Sequence, residues 1–101
     1  MSFAQLAVDA AFIAHGVPAS YLLAGVTPCD VRVIAKRPDA EVRFQGSSII
    51  AATAVFEVRA IDVPVAQIGD SLLIGNDTYQ VMVARCLDAD RLVWTLECII
   101  P

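Results

Sequence analysis

A single histidine, five scattered glycines, three distant cysteines and a charged fraction of 18% leave this 101-residue chain few means of doing chemistry. Histidine acid/base catalysis or a multi-histidine metal site would have to be built around His15 alone. The nearest acid in sequence, Asp9, is six residues away, not at the spacing of three or four that brings side chains together on a helix. Cys29, Cys86 and Cys98 include no Cys-x-x-Cys pair, which argues against a structural zinc site. Asp88 and Asp90 beside Arg91 lack the further oxygen ligands and closing Glu of a calcium loop, so turn chemistry is the better account of them, as it is of Asp70 and Asp77. No glycine-rich phosphate cradle exists. No catalytic residue, metal ligand or cofactor is expected.

Strong charge of either sign is also missing. The net charge is -4, with a pI near 4.6, and a general nucleic-acid binder needs a basic surface to neutralise phosphates. Residues 10–29 contain no Asp, Glu, Lys or Arg and have the length of a membrane span. His15, Gly16, Pro18, Ser20, Gly25, Thr27 and Pro28 interrupt them, however, and the start, Met1-Ser-Phe-Ala-Gln, has no basic leader. A cytoplasmic origin without a membrane is expected.

Apolar residues are what the chain has in quantity. They make up 57% of it, against about 45 to 50% in ordinary soluble domains. One domain spanning residues 1–101 buries a modest fraction of its surface, so part of that excess must be covered by other subunits. Four of the seven basic residues, Arg32, Lys36, Arg37 and Arg43, lie within twelve positions, interleaved with Asp39 and Glu41. They read as a solvated hairpin rim, with an anionic partner as the alternative.

Ser2 and Gln5 form a capping box, and Phe3, Leu6, Ala7, Ala10, Ala11 and Ile13 recur at helical spacing, which predicts a helix over residues 2–14 within an N-terminal segment 1–16. His15 faces the negative end of that helix and Gly16 ends it in a left-handed conformation. Residues 17–28 read as loop with a short strand at 21–23. Strands are expected over 31–36, 41–44, 49–61 and 65–68, with turns at 37–40 and 45–48. In the long fourth segment Phe56, Val58 and Ala60 share one face, and Val55, Glu57 and Arg59 the other. Its first half is apolar on both faces and so is central or covered by a partner.

The last third is a three-stranded meander. Gly69-Asp70-Ser-Leu-Leu-Ile leads to the turn Gly75-Asn76-Asp77. Tyr79, Val81 and Val83 alternate with Thr78, Gln80 and Met82, and after the Asp88-Ala-Asp90 turn Leu92, Trp94, Leu96 and Cys98 alternate with Val93, Thr95 and Glu97. Residues 17–101 therefore predict a mainly β fold, a small antiparallel β-sandwich or barrel of about seven strands carrying one N-terminal α-helix. Phe56, Val58, Tyr79, Val81, Val83, Leu92, Trp94 and Leu96 are the expected core, with Tyr79 and Trp94 packing and not stacking on a ligand. Cys98 is expected buried. A bridge from Cys86 to Cys98 is conceivable if the last two strands set them opposite each other, and free thiols are expected in a reducing cytoplasm.

The Gly-Asp before the first meander strand, the Tyr of the second and Arg91-Leu-Val-Trp-Thr-Leu-Glu97 in the third resemble the small head-tail joining (neck or stopper) proteins of lambda-like long-tailed phages and prophages. The resemblance covers residues 65–98 best. It implies a non-enzymatic virion protein of the neck, assembled in the host cytoplasm, that completes the DNA-filled head as a stopper ring. It further implies a hexameric or higher ring, portal or adaptor proteins on the head side, a tail-terminator on the tail side, and proximity to DNA in the channel. Tyr79 and Trp94 are carried over as fold-maintaining positions. Contacts are expected where loop tips project, at Arg37, Asp39, Glu41, Arg43, Gln45, Ser47 and Ile50. A tail-terminator or other tail-tube protein is the nearest alternative, and a small-ligand β-barrel a remote one.

Overall fold

The structure, a computed structural model, describes residues 3–37, 41–43 and 50–100, with the backbone alone at 37, 41–43 and 50–53. One helix, α1 (Phe3–His15), precedes seven strands: β1 (Val17–Leu23), β2 (Thr27–Arg37), β3 (Glu41–Arg43), β4 (Ile50–Arg59), β5 (Ser71–Ile74), β6 (Asp77–Arg85) and β7 (Val93–Ile99). All pairings are antiparallel, and the neighbours run β2, β1, β5, β6, β7, β4, with β4 returning to β2. Six strands thus close a barrel, the second of the two architectures expected from the strand pattern. Closure removes the open edges that a small sheet would expose.

Short apolar side chains fill the interior. Tyr21, Val33, Val58, Leu72, Val81, Leu96 and Cys98 are fully buried, and Phe56 and Val31 nearly so. The rings of Phe56 and Tyr79 meet edge to face with centroids 4.9 Å apart. Trp94 packs against this cluster, and its indole N–H is buried without a partner among the described residues.

The segment read as loop at 17–28 is instead the β1–β2 hairpin, paired from Val17 opposite Val33 to Leu23 opposite Thr27. Pro18 and Pro28 are tolerated because each sits where one side of its strand has no partner: β5 pairs only with residues 20–22 of β1, and β4 reaches β2 only from Val33. The strand expected at 65–68 is absent. Val63 and Ala66 are both buried, and a spacing of three cannot be met by an extended strand whose side chains alternate. Residues 60–70 form an irregular loop across one end of the barrel.

Gly16 also departs from expectation. Among the described residues the left-handed ones are Ala24, Gly25, Gly69, Gly75 and Arg91, not Gly16. The chain passes from α1 straight into β1, and a Cβ at Gly16 would collide with the Phe12 carbonyl oxygen and crowd Arg32. Nor is exposed His15 the group that caps the helix. Arg32 from β2 donates to the carbonyl oxygens of Phe12 (Nε, 3.1 Å), which also accepts from the Gly16 N–H at 2.9 Å, and of Gly16 (a terminal guanidinium nitrogen, 2.5 Å), and so fastens the end of the helix to the barrel wall.

A slip in β6 changes the meander. Val81 pairs with Cys98, but the next pair is Val83 with Glu97 and then Ala84 with Leu96, so Met82 is a bulge. Beyond it the inward positions shift by one. Ala84 packs against the core and Val83 does not, which corrects the expected alternation. Leu92 is outside the core cluster too, because it precedes β7 and its backbone closes the turn: its N–H donates to Asp88 and its carbonyl accepts from Ala60. Cys86 contacts the Val93 carbonyl oxygen at 3.3 Å, whereas Cys98 lies opposite Val81 at the other end of the hairpin, so the two thiols are not set for a bridge.

Candidate partner-binding surfaces

Three surfaces stand out from this scaffold. The first is a two-stranded arm. β2, β3 and β4 form one long hairpin whose register slips between Ala35 and Arg37, and between Arg37 and Glu41, where four steps along one strand match three along the other. β1 leaves β2 at Val33, and β7 reaches only to Thr53 of β4. The hairpin therefore continues past the barrel as a ribbon. Of the contact residues expected from the sequence, Glu41, Arg43 and Ile50 fall on this ribbon, with Arg43 opposite Ile50, and Arg37 lies at its base opposite Val55. Asp39, Gln45 and Ser47 lie outside the described residues. At the base, Lys36 approaches Glu57 at 3.8 Å.

The second surface is the outer face of α1. The helix lies against the barrel wall over β2, held through buried Phe12 and two arginines. Arg59 contacts Asp9 at 3.0 Å and Asp62 at 2.9 Å, with its guanidinium above the Phe12 ring. Burial alone would lower its pKa, but the hydrogen bonds to Asp62 and Asp9 hold it above the ordinary value. The opposite face carries Phe3 (91% exposed), Leu6 (50%), Ala7, Ala10 and Ile13 (72%), a helical stripe without a charge.

The third is the barrel end formed by the turn at 24–26 and the loop at 60–70. Val26, Val65 and Ile68 are exposed there, beside a shallow cleft lined by Leu23, Ala24, Pro64, Val65, Gln67 and Asp70. Asp70 is only 3% exposed, and it anchors both segments. Its carboxylate accepts from the Tyr21 hydroxyl at 2.5 Å, the Ala24 N–H at 2.8 Å and the Gln67 N–H at 2.9 Å. Burial first, and the bond to Asp70 second, push the Tyr21 hydroxyl well above the usual tyrosine range. In the sequence Asp70 reads as a turn residue. Its one available signal was a carboxylate placed directly before an apolar strand.

At the neighbouring turn, Asp88 accepts from Leu92 N–H (2.7 Å) and Val93 N–H (3.2 Å), the first of which chiefly lowers its pKa. Arg91 turns there with φ 55°. Among the described residues no three His, Cys, Asp or Glu side chains converge on a metal position, and no helix is long and apolar enough to cross a membrane.

A filled barrel with a strapped helix and a projecting ribbon is a structural module that works through its outer surfaces. The chain belongs to the phage head-tail attachment protein family, whose model matches residues 1–98. No curated protein matches it. It is thus a virion component with a structural role at the head-tail junction, associated with head and tail components.

Proposed function

We propose that the chain is the head-completion or stopper protein of the neck, a non-enzymatic subunit that assembles as a ring on the filled head and presents a docking surface to the tail. The observation that carries this reading is the uncharged stripe on α1. Phe3, Leu6 and Ile13 are exposed on a helix whose inner face is already engaged, and contiguous apolar surface of this kind marks a site of association. The family match over nearly the whole chain supplies the setting. Arg37, Asp39, Glu41, Arg43, Gln45, Ser47 and Ile50 are the proposed contacts with adjacent rings or with DNA in the channel. Head-side portal or adaptor proteins and a tail-side terminator are the proposed neighbours.

Imaging particles made without this chain tests the reading. DNA-filled heads beside complete, separate tails support head-tail joining, and heads that leak DNA support the stopper role in particular. Missing or overlong tails would replace the reading with a tail-terminator. Ile50→Asp is expected to leave a folded monomer that does not join heads to tails, and normal yields of joined particles from that variant would remove Ile50 from the interface.

A further inference from the structure

The arm leaves two backbone edges open. β3 pairs on one side with β4, Glu41 opposite Ala52, Val42 opposite Ala51 and Arg43 opposite Ile50. Among the described residues no strand pairs with its other side. On β4 the situation is reversed. Pairing with β7 starts at Thr53 opposite Ile99, so residues 50–52 have β3 on one side and, among the described residues, no strand on the other. Each edge presents three residues, and both sit on a ribbon of two strands, which is marginal in water by itself.

Native proteins shield such edges with charge or proline. The β3 segment carries one charge of each sign, Glu41 and Arg43, which disfavours pairing with a second charged edge but not with an uncharged one, and residues 49–54, Ile-Ile-Ala-Ala-Thr-Ala, carry neither charge nor proline. That contrast marks the β4 edge as one meant to be covered. We propose that a second copy of this chain covers it, with residues 50–52 of one copy adding to Glu41–Arg43 of the next as neighbouring strands of a shared sheet.

The two unlike edges select this occupant. Pairing β4 with β4 would satisfy two edges and leave both β3 edges open, in a closed dimer. Joining β4 of one copy to β3 of the next satisfies every edge, uses segments of equal length, and repeats by rotation until a ring closes. The antiparallel order within each arm is kept at every joint. The inference rests on the neck-ring reading for its setting, while its geometry comes from the strand register alone.

Mixed cysteine labelling tests it. Particles are assembled from two full-length single variants, Val42→Cys and Ala51→Cys, and mildly oxidised. The mixture should give a disulfide dimer that neither variant alone forms above the level of the unsubstituted chain. A dimer from Ala51→Cys alone would show that like edges meet, and joined particles without the mixed dimer would show that the arms do not pair. Either result overturns the proposal. Amide exchange of the unsubstituted chain is the second measurement: residues 41–43 and 50–52 should slow about tenfold or more on assembly, and unchanged exchange in assembled particles overturns it as well. Absence of the chain from the junction would instead sink the neck reading, which separates the two failures.

Discussion

Tyr21 and Asp70, forty-nine residues apart, meet through a buried hydroxyl-to-carboxylate hydrogen bond at one end of the barrel. The same carboxylate takes the N–H groups of Ala24 and Gln67, so a single side chain ties the β1–β2 turn to the loop before β5. Tyr21→Phe removes one of these bonds and should cost about 1–3 kcal/mol. Asp70→Ala removes all three and strands a buried hydroxyl, with an expected cost on the order of 3 kcal/mol or more. Urea denaturation of both variants checks the ranking. Equal costs would mean that Asp70 is no anchor.

Alkaline stability should fall for a stated reason. Burial, followed by the charge of Glu97, pushes the Cys98 thiol up to about 12 from an ordinary 9.0. Between these values the unfolded chain releases a proton that the folded chain retains, so stability is complete below the lower value and falls as pH rises, by up to about 1.4 kcal/mol per pH unit. The Tyr21 hydroxyl, also raised, adds a slope of the same sign above about pH 10. Urea midpoints measured between about pH 8 and pH 10 should drop for the unsubstituted chain and flatten for Cys98→Ala.

The Met82 bulge predicts opposite tolerances at adjacent positions. Val83, paired with Glu97, faces away from the core, and Val83→Thr should change stability by less than about 1 kcal/mol. Ala84, paired with Leu96, faces inward, and Ala84→Leu should cost about 1–3 kcal/mol through overpacking. The reverse order in thermal melts would place the register as simple alternation has it.

Arg32 holds the end of the helix through the carbonyls of Phe12 and Gly16, and Arg32→Met keeps the stem while deleting the donors. A loss of about 1–2 kcal/mol is expected, together with a fall in helical circular dichroism, because a 13-residue helix is marginal without its packing. Retained helicity at unchanged stability would assign the attachment of α1 to Phe12 and the Arg59–Asp9 pair.

Phe3→Asp and Ile13→Asp change exposed positions on the outer face of α1. Their expected effect on unfolding is under about 1 kcal/mol, while head-tail joining in a complementation assay should fall steeply. Full complementation by both variants would clear this face of any role in assembly.

The fold class was legible because the signals were periodic. The α1 stripe repeats at helical spacing, and the meander alternates between tight turns built on Gly75 and Asp88. Where reading failed, non-local geometry decided. Proline signalled loop at 17–28, yet Pro18 and Pro28 fall where a strand neighbour is missing, which only the sheet order reveals. Alternation puts Val83 inside, because a bulge at Met82 leaves no mark in an apolar run. Tyr21 and Asp70 lie far apart in sequence, and nothing local pairs them. Of the expected contact residues, Glu41, Arg43 and Ile50 fall on one hairpin, and that it extends as a ribbon with two unlike edges follows from where β1 and β7 stop.

The packed interior has a geometric corollary. With Tyr21, Leu72, Leu96 and their neighbours filling the barrel, a single copy leaves no passage for a polymer. In the proposed neck ring a conduit for a DNA duplex would therefore run between copies and not through one, its bore set by their number and tilt, and opening or shutting it would be a matter of how whole subunits and their projections are arranged around the axis.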